Sequence, residues 1–422
     1  MTMTDVPRIA TDHDALPPVL SFGPPRILAG AAQDRRVDLA AHRTLHGALV
    51  PRSRGWLSSS LAHVRMKGRG GAAFPVSIKL DAMPKGRSAS VLVNGSESEP
   101  ASWKDRVLMR QCPHLVLDGA LTIAAALTTK RITIAVHDVA SARSLEQACR
   151  ERSDASSVTI SITGNAFVGG EIRAVINGLN GDRGLPGGRR VLPTVDGIDH
   201  GPTFASNVET FAQIGLLALT GATEYARVGS TNEPGTTLVT MVGDVPFPGV
   251  IEVPIGIPLS SLLQSPPGDR RAVLIGGYHG TWVDHIDHLV IERDALRIAG
   301  APLNAGVIAR ISADHCALVE VSRVTSWLAS ESAGQCGPCF FGLPAVARGV
   351  QSMVEGAGSE PMTRLVRHLD TVSGRGACAH PDGSVQFVRS AMLTLDAELR
   401  QHAEHGSCGR IDGRALPVVA AA

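Results

Sequence analysis

Compact apolar runs and helical stretches alternate through the first half of the chain. Ser90 to Val93, Arg131 to Val136 and Val158 to Ile162 read as β-type runs, whereas His114 to Ala126 and Glu171 to Leu179 carry apolar residues at helical spacing. From about Leu61 to Tyr225 this alternation predicts an α/β layer fold, closed by an apolar helix over Phe211 to Leu219. The polar stretch Thr231-Asn232-Glu233-Pro234-Gly235 ends that region. Thr236 to Gly243 then reads as a strand, and with Val245 to Val253, Leu259 to Leu263 and Ala272 to Ile275 it makes a compact unit of β-grasp size to about Gly300. From Val321 to His402, apolar positions at i, i+3, i+4 and i+7 between glycine-rich turns predict a small helical bundle. Residues 1 to about 60 show little periodicity and read as an extended arm or loose helical prelude. The expected domains are 1–60, 61–230, 236–300 and 315–410.

Composition narrows the function classes. With 422 residues and 44% hydrophobic content the chain holds several real cores. A formal net charge of +1 gives no footprint for nucleic acid or anionic membrane. Seven irregularly spaced cysteines fit a reducing compartment with a metal or redox site rather than a secreted disulfide framework. No secretory leader is visible at the start and no apolar stretch approaches the length of a membrane span, so a cytoplasmic protein, with no direct membrane insertion, is expected.

The chemistry lies in four segments. Gly68-Arg69-Gly70-Gly71-Ala72-Ala73-Phe74-Pro75 lets backbone N–H groups approach a ligand unobstructed, with Arg69 and Lys79 able to add charge. Taken alone it is equally an ordinary turn. Asn94-Gly95-Ser96-Glu97-Ser98-Glu99-Pro100 places an acidic loop directly after a strand, where open α/β sheets bind ligands; Glu97 and Glu99 are otherwise solvated charges. Ser206-Asn207-Val208-Glu209-Thr210 supplies an N-cap, and helix N-termini attract phosphate. Cys336-Gly337-Pro338-Cys339 with the distant Cys378 has metal-ligand spacing close to that of an iron–sulfur site. Ala333 stands three before Cys336, where a fourth ligand is expected. Cys112 and Cys149 read as core or incidental.

Taken in order, these segments resemble the NADH-binding flavoprotein subunit of respiratory complex I and its relatives in soluble hydrogenases and formate dehydrogenases. The resemblance runs from about Gly68 to Asp396. GRGGAAFP resembles the family's flavin loop and NGSESEPASWKDR its acidic nucleotide loop. GDRGLPGGRRVLPT and SNVET follow in order, then GTTLVTMVGDVPFPGVIEVPIG for a β-grasp (SLBB-type) domain and ESAGQCGPC with GACAHPDG for a cluster-binding bundle. What this implies is a Rossmann-like FMN- and NADH-binding domain, a β-grasp domain and a helical iron–sulfur bundle. FMN is expected with its phosphate near Asn207 and Ser206, its ring against Gly68, Gly70 and Gly71, and Arg69, Lys79 and Asn94 as polar partners. Phe74, Ser96, Phe167, Gly170 and Glu171 complete the expected binding set. Glu97 is expected beside the nicotinamide as the catalytic position.

The resemblance has specific departures. The family's GAGAYICGEE reads Thr163 to Ile172 here, with Phe167 for tyrosine, Gly169 for cysteine, Ile172 for the second glutamate and, in the acidic loop, Ser96 for aspartate. Of the rings that grip adenine, Phe74 remains while Ala82 and Leu192 stand at the other positions. Aromatic pairs contribute roughly 0.5–1.5 kcal/mol each beyond burial, so losing two rings weakens NADH binding by about one to two powers of ten. The family's four-cysteine 4Fe-4S site keeps Cys336, Cys339 and Cys378. Three outcomes remain open: a 3Fe-4S cluster, a four-iron cluster with an outside ligand (Cys316, Cys408, His380 or His315), or no cluster. The implied partners are NADH and a ferredoxin-like or other electron-transfer subunit, with the chain cytoplasmic or peripheral to a membrane complex. The competing reading is an electron-transfer or scaffold subunit that docks a ferredoxin or membrane reductase without oxidising NADH. Gly276-Gly277-Tyr278-His279-Gly280 reads as a turn with a packing or docking role.

Overall fold

The computed structural model describes residues 15–32, 35–84, 88–164, 166–188, 191–356 and 358–418. Asn165, Arg189, Arg190 and the start of the expected arm lie outside them. The strands are β1 (Val19–Ser21), β2 (Ser90–Gly95), β3 (Ile132–Val136), β4 (Val158–Ile162), β5 (Thr203–Asn207), β6 (Thr236–Gly243), β7 (Gly249–Pro254), β8 (Val273–Ile275), β9 (Thr281–Val283) and β10 (Val307–Arg310). They form a four-stranded sheet, order β4-β3-β2-β5, and a six-stranded sheet, order β1-β7-β6-β10-β8-β9.

Every pairing in the first sheet is parallel, as buried apolar strands joined by helices require. The chain runs outward from β2 to β3 to β4, then returns across the sheet to lay β5 against the other side of β2. The strand order therefore reverses between β2 and β5. Helices Pro113–Leu127 and Val208–Tyr225 pack face to face beside this sheet, and they approach so closely that a Cβ on Gly119 would lie 1.8 Å from the Phe211 carbonyl oxygen. Phe204 and Phe211 are fully buried there, each stabilising the fold by roughly 1.5–3 kcal/mol.

The second sheet mixes parallel and antiparallel pairs: β6 lies parallel to β10, β1 parallel to β7, and the rest are antiparallel. Two runs of the β-grasp-sized unit take definite form here. Within Val245 to Val253 the strand starts at Gly249, because Pro246 and Pro248 have no N–H to give a ladder. Leu259–Leu263 is a short helix, since Leu259, Leu262 and Leu263 fall at i, i+3 and i+4 and bury one helical face. The arm is also bound into the fold. β1 extends the second sheet, while Ile27, Leu57 and Leu61 are fully buried in the first core.

The bundle comprises helices Ala317–Ser330, Leu343–Val354, Ser359–Val372, His380–Thr394 and Asp396–His405. Its core includes Tyr278 and Trp282 from the second sheet, so sheet and bundle share one apolar interior. Among the described residues, no helix is long and apolar enough to cross a membrane.

Candidate functional site

The reversal between β2 and β5 fixes where a ligand fits in an open α/β sheet: the crevice at the carboxyl ends of the two strands. Asn94 and Asn207 are register partners at those ends. The Asn94 amide donates to the Gly170 carbonyl at 2.9 Å, and its Oδ1 accepts the Ser96 N–H at 3.1 Å. Asn207 caps helix Val208–Tyr225 by accepting the Thr210 N–H, and its amide donates to Asp105. Ser206 is buried in β5, opposite Val93.

The glycine loop docks on that helix start. The Arg69 N–H donates to Thr210 Oγ1 at 2.8 Å, while the Gly68 N–H donates to the Phe74 carbonyl and closes the turn. Gly70 and Gly71 are exposed. A Cβ on Gly70 would meet no protein atom within 4 Å, and one on Gly71 only Asn304 Oδ1 at 3.9 Å. This bare backbone beside the crevice is the cradle a flat phosphate-bearing group needs, so the residues present fit FMN. Lys79 donates to the Ala205 carbonyl of β5 at 2.9 Å, and burial lowers its ammonium to about 8.

Arg69 itself departs from expectation. Its guanidinium turns away from the crevice into a buried ion network, 2.6 Å from Glu233, which Arg293 also meets at 2.6 Å. Glu209 lies 3.9 Å from Arg69 and 3.2 Å from the Lys104 ammonium. Burial disfavours these charges, but Arg293 and Arg69 hold the Glu233 carboxyl down to about 2. Glu209 also accepts from Thr237 Oγ1 and the Leu238 N–H, which ties the site helix to β6. Arg69 is thus a clamp between the two sheets, and only its backbone belongs to the cradle.

Glu97 is buried and its carboxylate is already engaged. It accepts the Asp105 and Arg106 N–H groups at 3.1 and 3.0 Å and the Ser102 hydroxyl at 2.6 Å, anchoring the start of helix Lys104–Gln111. Glu99 points the other way, accepting the Tyr278 N–H at 2.9 Å, and burial pushes its carboxyl up to about 7. Ser96 bonds to Thr163, and the Ser98 hydroxyl donates to the Phe167 carbonyl. Gly170 lies so close beneath this loop that a Cβ would fall 2.2 Å from Ser98 Oγ. Glu171 precedes helix Ile172–Leu179 and its charge reaches Cys378. Phe167 packs edge-on against His279, Trp327 and His380, on the bundle side. Of the positions expected to grip adenine, Phe74 is 47% and Leu192 66% exposed, and Ala82 is exposed as well.

Of the three expected cluster cysteines, two are in contact. Cys336 and Cys339 Sγ lie 3.2 Å apart where the π-helical turn Pro338–Gly342 begins. Despite burial, hydrogen bonds from the Gln335, Cys336 and Gly334 backbone and the Cys336 thiol hold Cys339 below the usual thiol range. Burial raises Cys378, and the charges of Glu171, Cys339 and Cys336 raise it further, so all three thiols act on one another. Three cysteines at a bundle turn, one with its thiol lowered, fit an iron–sulfur cluster with one protein ligand missing. Ala333 is buried. Cys316 is not placed as the outside ligand: it precedes helix Ala317–Ser330, whose 14 residues span about 21 Å, and its thiol lies with Glu398 and His402 instead. Cys408 lies with Cys316. His380 uses both ring nitrogens, on His279 Nε2 at 3.0 Å and the Leu328 carbonyl at 2.8 Å. Cys112 is buried in the first core, where burial pushes its thiol up to about 12.

Sequence reasoning quoted Lys104, Asp105 and Thr210 within motifs but gave none of them a role, because those roles depend on pairing across the sheet. The signal that finds them is the register of β2 against β5. Comparison with known proteins agrees with this geometry. Residues 61–216 match the family model for the Nuo51 FMN-binding domain, and residues 320–402 match the NADH-ubiquinone oxidoreductase-F iron-sulfur binding region. The chain is 28% identical over 392 residues to the F 2 subunit of NADH-quinone oxidoreductase from Rhizobium meliloti (strain 1021), covering 87% of this chain and 93% of that one. It is 30% identical over 357 residues to the F subunit of NADH-quinone oxidoreductase from Escherichia coli (strain K12), covering 78% and 80%. An NAD+-reducing [NiFe]-hydrogenase crystal structure, in the H2-reduced state, shares the fold with a TM-score of 0.77 at 23% identity, over 93% of this chain and 68% of that one. The chain belongs to the family of NADH-quinone oxidoreductase F subunits.

Proposed function

We propose that this protein oxidises NADH with FMN bound at the β2–β5 crevice and delivers electrons through an iron–sulfur cluster on Cys336, Cys339 and Cys378 to a ferredoxin-like or other electron-transfer subunit. The observation that carries the reading is the pairing of Asn94 with Asn207 at the point of strand reversal, beside the bare Gly70–Gly71 backbone. FMN, when bound, supplies the two-electron to one-electron conversion that NADH and a cluster require. The chain itself supplies positioning: the glycine backbone, Lys79 and the two asparagines orient the cofactor, while Glu97 stiffens the loop beneath it. The exposed rings of Phe340 and Phe341 directly follow the cysteine pair and suit a docked protein partner. All seven cysteines are free, which supports a cytoplasmic setting that keeps thiols reduced.

The order β7-β6-β10-β8-β9, with β6 and β10 parallel at its centre, supports the β-grasp reading of residues 236–300, with β10 just beyond that boundary. It also supports treating 61–230 and 315–410 as the cofactor and cluster domains. A second reading, an electron-transfer or scaffold subunit that does not oxidise NADH, draws on the donors occupying Glu97 and on the exposed Leu192. Protein purified without oxygen separates the two. Flavin absorbance that bleaches with NADH supports oxidation; flavin reduced only by dithionite, or a colourless protein, supports the scaffold. Gly70→Val adds its side chain to open space, so the fold is expected to hold while FMN affinity falls at least about tenfold, roughly 1.4 kcal/mol. Full FMN occupancy in that variant refutes the placement.

A further inference from the structure

Beyond the three cluster cysteines, a second group of metal-ligating side chains lies in the bundle. Cys316, Glu398, His402 and Cys408 each offer one ligand atom, and these atoms all lie within 4.8 Å of one another. Cys316 Sγ is 3.2 Å from Glu398 Oε1 and 3.3 Å from His402 Nε2. Tetrahedral zinc with Zn–S near 2.3 Å and Zn–N or Zn–O near 2.0–2.2 Å needs ligand atoms about 3.3–3.8 Å apart. The group is already close to that spacing.

The surroundings preset His402 and Glu398 as ligands. His402 Nδ1 lies 2.7 Å from the Val354 carbonyl, which can only accept. The Nδ1–H is thereby fixed, and the lone pair of Nε2 is left aimed at Cys316, the tautomer and outer partner that zinc-bound histidines use. Glu398 and His402 stand four residues apart on one helix and share a face. Glu398 keeps Oε1 toward Cys316 while Arg410 pairs with its Oε2. Two thiolates, a carboxylate and Zn2+ sum to −1, which the Arg410 guanidinium neutralises. Three of the four side chains are buried and Cys408 is half-buried, leaving a path for entry.

We propose that Cys316, Glu398, His402 and Cys408 bind a structural Zn2+ that fastens the C-terminal tail to the bundle. Binding releases a proton from each thiol to solvent and oxidises nothing. The tail it fastens already crosses the bundle: the Cys316 N–H donates to the Ile411 carbonyl, the Ile411 N–H donates to the Asp314 carbonyl, and Leu416 is fully buried. The site is separate from the redox cysteines and does not depend on the NADH reading.

The test uses the full chain, reduced and incubated with one equivalent of ZnCl2, then gel-filtered and analysed for zinc. About one zinc per chain is expected in the wild type and in a Cys336→Ser/Cys339→Ser control, and at least a tenfold loss of affinity in Cys408→Ser and in His402→Gln. Co2+ in place of zinc should give tetrahedral thiolate–cobalt absorption that the control keeps and Cys408→Ser loses. Because Cys408 is half-buried, circular dichroism of Cys408→Ser should match the wild type. Absence of zinc in the wild type, zinc content unchanged by Cys408→Ser, or a Cys316–Cys408 disulfide in freshly isolated protein overturns the proposal.

Discussion

Glu99→Gln tests how the acidic loop is held. The Glu99 carboxyl is fully enclosed, packed against Gly277 and accepting the Tyr278 N–H, and burial raises it from 4.5 to about 7, with the nearby Glu97 charge adding to the rise. A carboxyl whose folded pKa is raised contributes stability fully present below its unfolded value and lost as pH climbs through the folded one. The shift corresponds to about 3.2 kcal/mol between pH 4 and pH 8, of which about 2.5 kcal/mol develops between pH 5 and pH 8. Glutamine keeps an acceptor for Tyr278 but cannot ionise, so the variant should gain on the wild type as pH rises. At about 2.1 cal/mol/K per residue, 422 residues give about 0.9 kcal/mol/K, and the gain amounts to about 3 °C in melting temperature. Paired thermal melts at pH 5 and pH 8 measure it, and the variant-minus-wild-type difference cancels the other titrating groups. Melting curves that stay parallel across this range would refute the reasoning, because Glu99 would then be ionised or solvated in the fold.

Other perturbations give separate outcomes. Arg69→Met leaves Glu233 with Arg293 alone in a buried site and should cost about 3–5 kcal/mol, read by chemical denaturation; a loss under 1 kcal/mol would mean the network is not desolvated. Ala82→Phe with Leu192→Phe should tighten NADH about one to two powers of ten by flavin-bleaching titration, and no change would misplace the adenine site. Ala333→Cys should turn an oxygen-labile three-iron centre into a stable four-iron one, followed by low-temperature electron paramagnetic resonance and iron analysis. No iron in either protein would make the three cysteines structural and end the electron path at the flavin.

What was legible in the sequence was local. β2 and β3 follow the apolar runs because both their faces are buried, whereas the edge strand β4, half-buried to exposed, was legible from the alternation of Val158, Ile160 and Ile162 with Thr159 and Ser161. Asn94 and Asn207 face each other because each closes its own strand, and Lys79 reaches β5 from the helix that follows the glycine loop. Arg69 shows the limit: its glycine neighbours advertise a ligand loop, but its partner Glu233 lies 164 residues away on the segment read as a polar linker. Only tertiary packing decides which side of the loop a guanidinium leaves from. The packing of Phe167 was not legible for the same reason, since its aromatic neighbours come from the second sheet and the bundle. The Cys316–Cys408 group was invisible because its four members span three segments, and the sequence offered two of them only as spare ligands for another site.

The turn Gly276–Gly280 is where these long-range pairings converge, and its packing role follows from them. Tyr278 donates its N–H to Glu99 of the acidic loop and its hydroxyl to the Pro417 carbonyl of the tail. His279 meets His380, two residues beyond Cys378, and helix His380–Thr394 carries Gly383 at the contact, where a Cβ would fall 2.4 Å from the His279 ring. Phe167 lies across both imidazoles, 4.8 and 5.6 Å from their centres. Crevice loop, second sheet, cluster helix and tail are therefore braced at one point. Burial, with His380 beside it, lowers His279 to about 3, so the brace is uncharged at neutral pH. A base lowered in the fold contributes stability that is present above its unfolded value near 6.5 and lost as pH falls toward the folded one. Acid should therefore loosen this junction, which joins the Phe167 side of the crevice to the cysteines, while neutral pH keeps their relative placement fixed.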